Sequence, residues 1–101
     1  MKQRAISFDR TEIVVAFLDG NQYKLLNLEY SDIQRIQFDS IMERKFIFKK
    51  IPSEKITITT GKREKPIVYT KKNSGMYWDD YKTGLAKFAK NNHITFSDET
   101  D

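Results

Sequence analysis

An α+β domain is the architecture this sequence predicts: an antiparallel β-barrel or sandwich of six to seven strands, capped by one C-terminal amphipathic helix. Three observations carry that expectation. Residues 74–92 read SGMYWDDYKTGLAKFAKNN, with Trp78, Tyr81, Leu85, Phe88 and Ala89 at steps of three and four. That spacing lays a single apolar stripe along a helix. Ahead of it, β-branched and aromatic residues recur in short runs, several with period two, as half-buried strands require. No second helical pattern separates those runs, which argues for antiparallel neighbours rather than for a parallel sheet with crossover helices.

In chain order, Ala5 to Phe8 is a short first strand ended by Asp9-Arg10-Thr11. Glu12 to Leu18 (EIVVAFL) has the composition of a buried strand. Asp19-Gly20 predicts a type I′ hairpin, because that turn needs positive φ at its central residues. Gln22 to Leu28 returns as the partner, with Tyr23, Leu25 and Asn27 on one face and Leu26 and Leu28 on the other. Tyr30-Ser31-Asp32 reads as a polar corner of one helical turn capped by Ser31. Ile33 to Phe38 is the next strand.

A second hairpin is expected with its turn near Met42-Glu43 and a strand over Lys45 to Lys49. On that strand Phe46 and Phe48 share one face, and Lys45, Ile47 and Lys49 the other. Pro52-Ser53 is expected to break the pattern. Lys55 to Thr60 (KITITT) alternates cleanly, with Ile56 and Ile58 inward, and Pro66 to Thr70 is the last strand before the helix. The helix spans 76–91, with Ser74 as N-cap and Asn91-Asn92 as its stop. Ile94 to Phe96 is expected to pack back on the sheet, and 97–101 to be a frayed acidic tail.

Composition sets bounds on class. The chain has 101 residues, the size of one domain spanning 1–101. Thirteen per cent aromatic residues and 39% hydrophobic residues are enough for a small core, so a disordered chain is not expected. With no Cys, disulfides and thiolate metal sites are excluded. No apolar run approaches the roughly twenty residues of a membrane-spanning helix. The opening MKQRAISFDR has charge but no apolar h-region, so the expected location is cytoplasmic.

Residues 8–14 (FDRTEIV), residues 28–36 (LEYSDIQRI) and the helix with Trp78 together resemble the small bacterial pleckstrin-homology-like and GRAM-like domains. Phe8-Asp9-Arg10-Thr11-Glu12-Ile13-Val14 is similar to their opening strand-turn-strand. Leu28 to Ile36 (LEYSDIQRI) resembles their entry into the third or fourth strand, and the helix with Trp78 resembles their capping helix. The resemblance implies a non-catalytic binding module. It departs from phosphoinositide-binding members, which place a basic cluster in the loop between the first two strands. Here Asp9-Arg10-Thr11 and Asp19-Gly20-Asn21 together carry two acids and one base.

Charge points to one stretch. Residues 41–72 hold ten Lys or Arg against three Glu, whereas the whole chain is only +4. Within it, the loop Gly61-Lys62-Arg63-Glu64-Lys65 is the candidate anion site, formed by Lys62, Arg63 and Lys65 beside a glycine turn. Lysines on edge strands also serve simply to block sheet-to-sheet pairing. Nucleic acid is disfavoured, because the alternation puts Phe46 and Phe48 on one face and their lysine neighbours Lys45 and Lys49 on the other. An enzyme is not expected. The one His, His93, has no acid at catalytic spacing, Asp79 and Asp80 are adjacent and point apart, and no nucleotide, hydrolase or metalloprotease motif occurs. No cofactor and no metal is expected. The function read from the sequence is a binding or scaffold module acting through protein contact or self-association. A weak contact of stretch 41–72 with anions or an anionic membrane is the alternative.

Overall fold

The computed structural model describes residues 5–46 and 49–100. Strands β1 (Ile6–Phe8), β2 (Glu12–Asp19) and β3 (Gln22–Glu29) precede a 3₁₀ turn at Tyr30–Asp32. Then come β4 (Ile33–Phe46), β5 (Lys49–Thr60) and β6 (Ile67–Thr70). The single helical turn α1 (Lys71–Ser74), a 3₁₀ turn at Gly75–Tyr77 and the long helix α2 (Trp78–Asn91) follow, and β7 (Thr95–Glu99) closes the order. The class is α+β with seven strands, as expected, but the ladders form two separate sheets rather than a closed barrel. One sheet runs β1-β2-β3 and the other β6-β5-β4-β7.

Seven strands are reached by a different route from the one the sequence predicts. The expected turn near Met42-Glu43 does not exist. β4 runs straight through it and pairs with β5 in one long antiparallel ladder, Ile41 opposite Ser53 and Arg44 opposite Lys50. Pro52 does not break β5; it sits opposite Met42. It is tolerated because β6 covers only Lys55 to Ile58, so at Pro52 the far edge of β5 has no ladder needing an N–H. The faces expected for Phe46, Phe48, Lys45 and Ile47 concern residues whose side chains lie outside the described set. The seventh strand, β7, comes after the helix and pairs in parallel with β4, Ile36 opposite Phe96, so the architecture is not wholly antiparallel. Ser97, Asp98 and Glu99, expected as frayed tail, belong to this strand.

Three local details also differ, each for a stereochemical reason. Asp19 pairs with Gln22, so the hairpin's central residues are Gly20 and Asn21 rather than Asp19 and Gly20. Only Gly20 of the two has positive φ, +64°, the pattern of a type II′ turn. At the corner after β3 the cap is not Ser31. Glu29 and Asp32 form a reciprocal capping box, with the Glu29 N–H donating to Asp32 Oδ2 at 3.0 Å. Ser74 is buried and caps nothing with its side chain. Gly75 takes φ +57°, which splits the helical run into α1 and α2.

The apolar stripe of α2 lies where its spacing predicts. Trp78, Tyr81, Leu85, Phe88 and Ala89 are all buried, against Ile36, Phe38, Ile56 and Ile58 of the larger sheet and Ile6, Ile13, Val15 and Leu28 of the smaller one. Each such side chain contributes about 1.5–3 kcal/mol by leaving water. Gly84 lets the helix approach β1 closely, since a Cβ there would stand 2.6 Å from the Phe8 ring. At the other end His93, not Asn91 or Asn92, takes the left-handed residue (φ +56°). The Ile94 N–H then donates to the Ala89 C=O at 2.9 Å, the long bond of a Schellman motif. That turn sends the chain back so that Phe96 meets Phe38 edge to face at 5.0 Å.

Candidate binding surface

The two sheets stay apart at one corner, and a cleft of about 790 Å³ opens there. Consecutive residues line both walls: Ala16, Phe17 and Leu18 of β2 on one side, Pro66 to Thr70 at β6 on the other. Neighbours in a strand point to opposite faces, so lining by a consecutive run means that strand edges border the cleft. One side chain ties the walls together. The Tyr69 hydroxyl donates to the Ala16 carbonyl at 2.8 Å. Burial, with Tyr81 and Tyr23 nearby, pushes the Tyr69 pKa far above the usual phenol range, so it stays a neutral donor. Tyr81, from α2, accepts the Ala5 N–H at 2.7 Å and stacks on Tyr77 at 6.1 Å. The floor of the cleft is thus a tyrosine cluster fixed by backbone hydrogen bonds.

The three cations expected to act together do not converge. Lys62 turns toward β3, where its Nζ lies 3.4 Å from Asp32 Oδ2 and 3.3 Å from the Asn27 carbonyl. Arg63 turns the other way and stacks its guanidinium over Phe17, 4.4 Å from the ring centroid, at the rim of the cleft. Lys65 also lines the cleft, and Lys62 does not. A five-residue loop with Gly61 at its start allows this splay because alternate side chains leave on opposite sides. The loop therefore offers one stacked Arg and one Lys to the cleft rather than a three-cation site.

The Glu54 carboxylate organises the helix side of the larger sheet. Its Oε1 accepts from Lys82 Nζ at 2.8 Å and from Trp78 Nε1 at 3.1 Å. The bond from Lys82 holds the Glu54 pKa below its ordinary value, outweighing the opposing effect of burial, and the indole N–H acts in the same direction. This is a fastening for α2, since it satisfies the only polar atom of a buried Trp. His93 and Asp79 and Asp80 are exposed, with His93 just beyond α2 and the acids in its first turn. Among the described residues, no three of His, Asp and Glu come together as a metal site requires, and no helix is long and apolar enough to cross a membrane.

The feature that sequence reading did not single out is the outer end of the β2–β3 hairpin. Leu18, Tyr23 and Leu25 are 67%, 69% and 73% exposed. They share a face, because Leu18 pairs with Tyr23 and Ala16 with Leu25. The next pair on that face is Val14 and Asn27, so three successive cross-strand pairs carry no charge. Ala16 itself is buried, which confines the open patch to the hairpin's outer half. Alternation placed Tyr23 and Leu25 together, but nothing in the sequence said which face of β3 would meet the core. The opposite face does, through Ile13, Val15 and Leu28. No protein-family model, curated protein or solved structure matches this chain.

Proposed function

We propose that this chain is a non-catalytic binding module that works by protein–protein contact, with the outer face of the β2–β3 hairpin as its working surface. The observation that carries the reading is the cluster of Leu18, Tyr23 and Leu25, three large apolar side chains left in water on an uncharged strip. Such a patch adds nothing to the core, and an exposed apolar group of this kind is the usual mark of a surface that another protein covers. The resemblance to bacterial pleckstrin-homology-like domains supports the same reading, since two sheets with one helix docked by an aromatic stripe suit a rigid scaffold for such a surface. A strand after the helix, β7, is an addition to that pattern.

The test is in-cell photocrosslinking from position 18 or 25 of the tagged full chain, compared with the Leu18→Ser, Leu25→Ser background probed from position 23. Discrete crosslinked proteins that disappear with the double substitution support the reading. An unchanged set of products, or none from any of the three positions, would sink it.

A further inference from the structure

We infer that the cleft between β2 and β6 is a binding site for a small aromatic carboxylate, its ring lying on the tyrosine floor and its charge meeting Arg63 and Lys65 at the rim. This goes beyond the protein-contact reading of the hairpin and does not depend on it, although Leu18 and Tyr23 border both surfaces.

The opening is built into the strands. At the last rung between β1 and β2 only half of the ladder forms: the Ala16 N–H donates to the Ala5 C=O at 2.7 Å. The Ala5 N–H goes instead to the Tyr81 hydroxyl, and the Ala16 C=O accepts from Tyr69. Two tyrosines thus replace the missing bond, and Leu18 lies beyond the end of the ladder. On the facing wall β6 is the end strand of its sheet. Neither wall therefore has a strand of the described chain to fill the space between them.

Charge at the rim selects an anion. Lys62 already has a counter-charge in Asp32, 3.4 Å away. Arg63 and Lys65, which line the cleft, do not: among the described residues no carboxylate lies within ion-pair distance of either. Among those residues, no Asp or Glu lines the cleft. A cleft bordered by charge of one sign focuses its field and draws in the opposite charge. Arg63 is also held in position, with its guanidinium over Phe17 at 4.4 Å from the ring centroid. That contact engages the flat face and leaves the in-plane N–H donors, whose fork matches a carboxylate bidentately. Lys65 is exposed and adds attraction as a point charge.

The lining selects the body that carries the charge. Phe17, Tyr23, Tyr69, Tyr77 and Tyr81 all border the cleft. Tyr81 lies 6.1 Å from Tyr77 and 6.4 Å from Tyr69 between ring centroids. Rings so arranged favour a further ring, which gains from offset or edge-on contact beyond the area it buries. The backbone bonds of Tyr69 and Tyr81 fix the floor in advance, so a rigid ligand loses little freedom on binding. The volume of about 790 Å³ is within the range of small-molecule sites, about 300–1,000 Å³.

The experiment is calorimetric titration of the full chain with three probes: naphthoate, naphthylmethanol (the same ring without the charge) and acetate (the charge without the ring). The expected result is saturable binding of naphthoate, binding of the alcohol about tenfold weaker or more, and none of acetate. Arg63→Gln should weaken naphthoate by about tenfold or more and leave the alcohol unchanged, which also shows that the variant is folded. Lys65→Gln should weaken naphthoate less, and Lys62→Gln, outside the cleft, should not alter it. Absence of saturable naphthoate binding at millimolar concentration overturns the inference. Equal affinity for the acid and the alcohol overturns it too, as does a loss on Lys62→Gln that matches the loss on Arg63→Gln.

Discussion

The docked face of α2 and the outer face of the β2–β3 hairpin are built from the same kinds of residue and put to opposite use. On the helix, Trp78, Tyr81, Leu85 and Phe88 are all but removed from water. On the hairpin, Leu18, Tyr23 and Leu25 keep more than two thirds of their surface in it. The difference lies in what each face meets. The helix stripe faces both sheets at once, and its buried polar atoms are answered: the indole N–H by Glu54 and the Tyr81 hydroxyl by the Ala5 N–H. The hairpin packs one face on the core through Ile13, Val15 and Leu28, while Leu18 and Tyr23 on the other face border the cleft and stay, with Leu25, largely in water. Hydrophobic side chains therefore mark the fold in one place and, as we propose, a contact surface in the other.

That contrast can be broken most forcefully at the helix. Trp78→Ala should cost about 3–5 kcal/mol, enough to unfold a marginal domain. Thermal unfolding followed by circular dichroism measures it, and an unchanged midpoint would mean that α2 is not docked by this residue. At the hairpin, the turn matters more than the exposed side chains. Gly20 has open space around it and φ +64°, so Gly20→Val is disfavoured by backbone conformation alone, by about 1–3 kcal/mol. Urea titration should show the loss.

Smaller effects sharpen the same comparison. Gly84→Ala would ordinarily gain about 1 kcal/mol in a helix, yet its new Cβ meets the Phe8 ring. The substitution should destabilise, and combining it with Phe8→Ala should restore the helix-propensity gain in a double-mutant cycle. The fastening at Glu54 predicts a pH dependence. Its folded pKa lies below its unfolded value, so its contribution is present in full above the ordinary glutamate value of 4.5 and is lost as pH falls through the folded pKa. Urea midpoints should drop on acidification below that range, and Glu54→Gln should flatten this part of the profile.

Legibility in the sequence followed the physics of each region. The helix was readable because a period of 3.6 with one apolar stripe has a single packing solution, and Trp78 to Ala89 are all buried as the spacing requires. The β2–β3 hairpin was readable from its glycine, although the turn lies one residue later. The long β4–β5 ladder was not, because a proline in the middle of a strand normally forbids one. What permits Pro52 is the shortness of β6, a tertiary fact that no local pattern contains. β7 was half legible: Ile94 to Phe96 signalled packing, but pairing with β4 depends on the reversal at His93. The basic loop shows the limit for sites. Lys62, Arg63 and Lys65 are neighbours in sequence, and Asp32 and Phe17, which draw Lys62 and Arg63 apart, are far away in it. The exposed patch was invisible for a similar reason, since alternation assigns residues to faces but not faces to solvent.

The most direct measurement of the central claim is a paired one on Leu18→Ser, Leu25→Ser: folding stability by urea titration and in-cell photocrosslinking from position 23 of the same variant. The account predicts a urea midpoint within about 0.5 kcal/mol of the parent and loss of the discrete crosslinked products. A stability loss of the size expected for core residues, or crosslinked products that persist unchanged, would contradict it.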